Sequence, residues 1–350
     1  MRVHRWQRLV TICAAGWLAG TGIGALAGER PPVPEWMAGV ATGPAGDFPL
    51  IGPASLTYTV SWNGVLKAGE AKVLFRSGDD VATIHTLGTS RSIGAARLLW
   101  PYDAKVESQV HATDLRPLLV DQWEEDRDEE NVYRTTFAPG AIHNVWTTKP
   151  KKNGKPDEER NRVFRQEPVH DLVSGMLYLR SLPWTTKGET VGLIVFPFRD
   201  PYFVGVTFLG SEKRKHGQEM IDALKFDLQI STIRKGGKLE PISSTVKSAS
   251  FWISDDEQRL PLEMRAEIFV GSIRVELTDF QLLPSGEKVP VLAESAPPVD
   301  GVMDWSSKAK GWLGRLAPNP LLPDQRPKGR RADQIIPSPP TTKRGGNQME

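Results

Sequence analysis

Apolar and polar residues alternate with a period of two along much of the chain. Leu56, Tyr58, Val60 and Trp62 interleave with Thr57, Thr59, Ser61 and Asn63, the pattern of a strand with one dry and one wet face. Gly69, Ala71, Val73 and Phe75 repeat it against Glu70, Lys72 and Arg76, and Val81–Leu87 follows the turn-forming Ser77-Gly78-Asp79-Asp80. Late in the chain, Leu262, Met264, Ala266, Ile268 and Val270 alternate with Glu263, Arg265 and Glu267. Gly271 breaks the run, and Ile273, Val275 and Leu277 resume it. Such runs predict antiparallel sheet with one solvated face. Residues 190–197, 202–210, 220–233 and 246–254 are strand-like by length and residue type, with Gly236-Gly237 as a hairpin turn.

One segment has the other period. Val169, Leu172, Val173, Met176, Leu177, Leu179 and Leu182 recur at helical spacing from Pro168 to Leu182, and Pro183 stops the run. Asp171 or His170 stands near its start, where an acidic side chain suits the exposed amides and the helix dipole. A lone amphipathic helix among strands buries its apolar stripe against a sheet. The predicted fold is therefore mainly β: a curved antiparallel sheet or incomplete β-barrel, with one packed amphipathic helix at about 168–182.

The flanks read differently. Arg2, Arg5 and Arg8 precede an uncharged apolar stretch, Leu9–Ala27, which closes on Ala25-Leu26-Ala27. This is the layout of a signal peptide cut before Gly28. It predicts a periplasmic or otherwise exported protein that keeps no stable transmembrane segment after cleavage. Residues 28–53, rich in Gly, Pro and Ala, read as a flexible leader, and 54–283 as the β domain. Residues 284–350 read as a proline-rich, largely disordered tail, with a short amphipathic helix at 302–316 and a basic end.

Composition narrows the chemistry. The single cysteine, Cys13, lies inside the signal, without the small residues before it that lipid modification requires. The mature chain therefore has no disulfide, thiolate nucleophile or cysteine metal site, and its stability rests on the β core. A formal net charge of +2 implies no nucleic-acid partner.

Three stretches carry a family resemblance over about 56–280. Tyr58-Thr-Val-Ser-Trp-Asn-Gly-Val with Ala68-Gly69-Glu-Ala is similar to the first hairpin of the bacterial domain of unknown function 3108. Asp171-Leu-Val-Ser-Gly-Met-Leu-Tyr-Leu-Arg180 resembles its central helix, and Phe251-Trp-Ile-Ser-Asp-Asp256 with Arg259-Leu-Pro261 its late hairpin. The resemblance implies an exported, predominantly antiparallel protein of the cell envelope, and implies no activity.

The motif search is sparse. His85, His111, His143, His170 and His216 form no i, i+3 or i, i+4 pair, and no His-Glu-x-x-His occurs. No Gly-x-Ser-x-Gly elbow is present; Ser244-x-x-Lys247 and Ser307-x-x-Lys310 lack the expected helical context. No phosphate loop occurs, and no cofactor is expected. Asp255 and Asp256 are a carboxylate pair for hydrolysis on one reading and turn caps on the other. The acidic run 124–130 and the basic cluster at 149–155 read as hairpin tips.

Eleven tryptophans are many for this length; Trp62 and Trp252 fall within the domain, as do Trp100 and Trp146. They are core and rim residues of a wide sheet, or they line a concave site for a lipid, glycan or peptide. Asp171 and Arg180 are the polar residues placed near such a site. The leading expectation is a non-enzymatic envelope module that binds or carries an amphiphile or a partner protein. The alternatives are a scaffold acting through its tail and a carboxylate-dependent hydrolase.

Overall fold

The computed structural model describes residues 33–47, 51–77, 82–151, 156–242, 246–268 and 271–284. The expected signal peptide, the 302–316 helix and the tail beyond 284 lie outside the described residues.

Among these described residues, fifteen strands form one sheet. In chain order they are β1 (Ala54–Trp62), β2 (Leu66–Ser77), β3 (Thr83–Ser92), β4 (Asp103–His111), β5 (Pro117–Glu125), β6 (Glu129–Ala138), β7 (Ala141–Pro150) and β8 (Glu158–Phe164). Then follow β9 (Thr190–Val195), β10 (Tyr202–His216), β11 (Glu219–Ile233), β12 (Leu239–Pro241), β13 (Val246–Ser254), β14 (Pro261–Ile268) and β15 (Gly271–Leu282). Two α-helices are described: α1 (Gly94–Leu99) after β3 and α2 (Leu172–Ser181) between β8 and β9.

Strand pairing is antiparallel throughout, in the order β8-β7-β6-β5-β4-β3-β2-β1-β15-β14-β13-β11-β10-β9, with β12 beside β11. The first and last strands therefore meet at β1 and β15, in the middle of the sheet. The β1–β2 turn shows how local chemistry sets a register. Asn63 and Gly64 both adopt left-handed backbone, φ 50° and 69°, as a tight hairpin turn requires.

Register identifies the inner face. Leu56, Tyr58, Val60 and Trp62 of β1 lie beside Val73, Ala71 and Gly69 of β2 and Leu277, Val275 and Ile273 of β15. That face meets α2. Leu177 and Tyr178 are buried with Leu56, Phe75, Val110 and Leu193. Burying a side chain the size of Leu177 contributes about 1.5–3 kcal/mol. The helix begins where the sequence places it, because Asp171 accepts from the Ser174 amide while the Ser174 hydroxyl accepts from the Asp171 amide.

The sheet is open: its end strands, β8 and β9, do not pair with each other. Their approach is made by side chains of the segment after β9. Phe196 meets Phe164 at a steep tilt with ring centroids 5.0 Å apart, and Asn144 donates to the Phe198 carbonyl at 2.9 Å. Arg162 reaches Asp200 at 3.0 Å, and Arg199 reaches the Tyr133 hydroxyl. Side chains, with a single backbone bridge between His170 and Val195 in place of a ladder, therefore bring the two ends of the incomplete barrel together.

Two regions depart from the sequence expectation. Residues 33–47, within the expected flexible leader, pack on β9: Val40 is buried and bridges Gly192, and Trp36 stacks on Phe203 and donates to the Gly237 carbonyl. Large apolar anchors among the prolines explain the docking. Residues 103–164, within the expected β domain but without individually delimited strands in the sequence reading, contain five full strands. The tips themselves lie between β5 and β6 and between β7 and β8, and Lys151 pairs with Glu125 across them at 2.7 Å.

Candidate functional site

A cavity of about 120 Å³ opens on the inner face between β1, β2, β3 and β15, under α1. Val60, Gly69, Ala71 and Val275 supply its floor, and Ala96, Trp100 and Tyr102 its cover. Small residues make the space. At Gly69 even a Cβ would stand 2.9 Å from the Arg91 carbonyl oxygen, so the cross-strand approach there admits only glycine. Glu70, Ser90, Arg91 and Ser92 complete the lining, and the exposed interior is mainly apolar.

The neighbouring surface is apolar where most surfaces are not. Val65 and Leu66, at the β1–β2 turn, are 87% and 52% exposed; Leu98 and Leu99, on α1, are 82% and 77% exposed. Contiguous exposed apolar residues beside a cavity mark an interaction site.

Helix α1 is held by its polar groups. Arg97 makes a two-pronged bond to Asp103 at 3.1 and 2.8 Å, and Arg127 donates to the Leu98 and Leu99 carbonyls. The helix itself buries no residue and has no side-chain cap at its start.

Beyond Tyr102 the inner face turns polar. The Tyr102 and Tyr133 hydroxyls both donate to Glu124, at 3.3 and 2.8 Å. Arg199 donates to the Tyr133 hydroxyl and to Asn131 Oδ1. Enclosure pushes the Glu124 carboxyl above the ordinary carboxylate range, against the pull of the two tyrosine bonds and of Arg199. Gln122, next inward on β5 and 4% exposed, has an Oε1 without a hydrogen-bond partner among the described residues. The Trp100 indole N–H is likewise buried and unpartnered.

Of the residues singled out from the sequence, Asp171, Arg180, Trp252, Asp255 and Asp256 lie off the cavity lining, and Trp62 packs beside Val60, which belongs to it. Asp171, 3% exposed, caps α2 and accepts from Ser108 of β4 at 2.5 Å, joining helix to sheet; burial raises its pKa and these bonds lower it. Arg180, 1% exposed, lies at the far end of α2 and donates to the Arg259 and Gln258 carbonyls. Burial, then the nearby Arg259 charge, lowers its pKa to about 10. Asp171 and Arg180 thus serve opposite ends of one helix.

Asp256 is exposed and accepts from the Gln258 and Arg259 amides and the Ser254 hydroxyl, capping the β13–β14 turn. Asp255 pairs with Arg259 at 3.1 Å. Both carboxylates serve the turn, and neither borders the cavity. Trp62 packs beside Ile273 and Val60. Trp252 is buried among Arg214, Lys225 and Arg265 and donates to Glu212 at 2.8 Å. Among the described residues, no group of three or more His, Asp or Glu gathers to hold a metal, and no helix is long and apolar enough to cross a membrane.

Sequence reasoning missed Gln122, Glu124 and Tyr102 and gave Trp100 no special place. One signal was present: Val120, Gln122 and Glu124 alternate in the inward phase of β5, and polar residues at core positions mark sites where a fold departs from stability alone.

Solved structures align with the chain at low identity. A β-barrel-like protein of the domain of unknown function DUF1849 from Brucella abortus aligns with TM-score 0.44 and 10% identity over 68% of this chain and 100% of that one. A candidate exported protein with a YmcC-like fold from Bacteroides fragilis aligns with TM-score 0.27 and 8% identity, over 68% and 99%. No curated protein matches the chain. A family model for proteins of unknown function matches residues 57–278, and the chain belongs to that family, DUF3108.

Proposed function

We propose that this protein is an exported, non-enzymatic module that binds an amphiphile, with the apolar part of the ligand in the cavity under α1. Export follows from the signal-like start, Arg2 to Ala27. The observation that carries the binding reading is the apolar cavity lying beside α1 and the β1–β2 turn, whose Leu98, Leu99, Val65 and Leu66 are exposed. A ligand chain that covers these residues removes apolar surface from water at about 25 cal/mol per Å².

The test fills the cavity. Ala71 lines it, and Ala71→Phe should abolish binding of a dodecyl-chain probe while far-ultraviolet circular dichroism stays that of the parent. Binding of the probe with equal affinity by parent and variant would place the ligand elsewhere. Failure of the parent to bind any dodecyl probe would end the reading.

A further inference from the structure

Among the described residues, exposed large apolar side chains stand in adjacent pairs at two places: Val65 with Leu66 in the β1–β2 turn, and Leu98 with Leu99 on α1. The others, Val33, Val163, Leu172, Leu209, Met220 and Leu282, stand singly in separate segments, as scattered surface residues do. Register brings the two pairs to one rim. Ser92, the last residue of β3, pairs with Gly69 of β2, and the Ile93 amide donates to the Ala68 carbonyl at 3.0 Å. Helix α1 therefore starts beside Ala68. Leu66 is two residues, about 7 Å, from Ala68 along β2, and Leu98 and Leu99 are about 6–8 Å along α1 from Gly94.

Packing does not require these side chains. Helix α1 buries no residue, and it is Ala96, with Trp100 after the helix, that covers the cavity. The backbone of the rim is already paired. Arg127 donates to the Leu98 and Leu99 carbonyls at 3.1 and 2.9 Å. The Trp100 amide donates to Ala96 at 2.7 Å and the Val65 amide to Trp62 at 3.1 Å. Such groups can leave water without losing a hydrogen bond, which is the condition for entering lipid. Trp62 ends β1 beside the turn, and Trp100 follows α1; tryptophan is enriched where hydrocarbon meets headgroup.

Bordering charges balance: Arg91 pairs with Glu70, Arg97 with Asp103 and Lys151 with Glu125. That suits a surface whose headgroups carry both signs. Four side chains expose on the order of a few hundred Å², short of the about 800 Å² per partner of a standard protein interface. A bilayer needs no fitted partner surface.

We propose that the β1–β2 turn and α1 form a membrane-docking rim, on which Val65, Leu66, Leu98 and Leu99 enter a zwitterionic bilayer to the depth of an interfacial helix, about 5–10 Å. The docking goes beyond the amphiphile reading and stands without it.

The test is sedimentation of the full mature chain with sucrose-loaded phosphatidylcholine vesicles. Leu98→Ser with Leu99→Ser, and Val65→Ser with Leu66→Ser, should each lower the partition coefficient at least about tenfold. Met220→Ser, an exposed apolar residue elsewhere, should leave it unchanged. Raising salt from about 0.1 to 0.5 M should move it less than about twofold, because apolar area rather than charge carries the docking. Cys13 lies in the expected signal, so Leu98→Cys gives the mature chain a single thiol. An environment-sensitive dye there should shift to the blue on vesicles, and the same dye on Met220→Cys should not. A parent chain that binds no vesicle would overturn the proposal, as would a partition that survives both double variants. Binding only to vesicles containing phosphatidylglycerol, lost at 0.5 M salt, would assign it to charge and overturn it too. A parent that dimerises in light scattering while the double variants stay monomeric would give the rim to a second copy instead. Ala71→Phe, which fills the cavity, should still sediment with vesicles, so vesicle binding without dodecyl binding ends the cavity reading and leaves the docking rim in place.

Discussion

His170 packs its ring 5.1 Å from that of Tyr178, with an Nδ1 that has no partner among the described residues, and burial depresses its pKa from 6.5 to about 4. In the unfolded chain it takes a proton as pH falls through 6.5; in the fold it does not until about 4. The unfolded state binds more protons in that window, so acidification from pH 6.5 to 4 removes up to about 3 kcal/mol of stability. Asp171 next to it acts in the opposite sense. Its folded pKa lies above the ordinary value of 3.8, so stability rises as pH falls through the folded value and levels off at 3.8. His170→Phe keeps the ring and removes the titration. Urea midpoints of the variant should lose much less than the parent's between pH 6.5 and 4; parallel profiles would mean that another group carries the acid sensitivity.

At the scale of elements, α1 and α2 contrast. Helix α2 has a capping box, a buried stripe and a proline stop, so its position was readable from residues 168–182 before any contact was known. Helix α1 has only Gly-Ala-Ala-Arg-Leu-Leu, too short for a helical period to show. Its place depends on Arg97, Asp103 and Arg127, which are distant from one another in pattern and near only in space. The same reason hid the site. Strand alternation marks which residues point inward, but that Tyr102, Glu124 and Arg199 converge depends on how far the sheet curls. The Arg97–Asp103 pair is over a third exposed on both sides, so its contribution is under about 1 kcal/mol. Removing it with Asp103→Ala should loosen α1 alone. Hydrogen exchange should speed up at the Trp100 amide, which bonds Ala96 at 2.7 Å, and stay unchanged in α2. Unchanged exchange at Trp100 would show that Arg127 suffices to hold the helix.

For the whole molecule, period-two alternation made antiparallel sheet legible, and the resemblance over 56–280 made its family legible. Strand order and closure were not, because the decisive contacts join residues such as Asn144 and Phe198, which no local pattern links. The chain has one cysteine, so no disulfide within the chain can staple it. Its thermal midpoint should be the same with and without dithiothreitol. The junction between the sheet's ends should be costly to damage: Phe196, 1% exposed and packed edge-on or tilted against both Phe137 and Phe164, is expected to cost about 3–5 kcal/mol on truncation to alanine. A midpoint shift equivalent to less than about 1 kcal/mol would mean that the ends hold without it.

That junction has a consequence for opening. A wall fastened by amide ladders opens only by unzipping strands, one hydrogen bond after another. Here a few rings, two arginines, Arg162 and Arg199, the Asn144–Phe198 bond and one backbone bridge between His170 and Val195 form the clasp, and it can release while every ladder between the named strands stays paired. Opening at this junction is then a local event, faster than unfolding and quickened by salt through the Arg162–Asp200 pair. A sheet joined in this way can part at one seam without being taken apart.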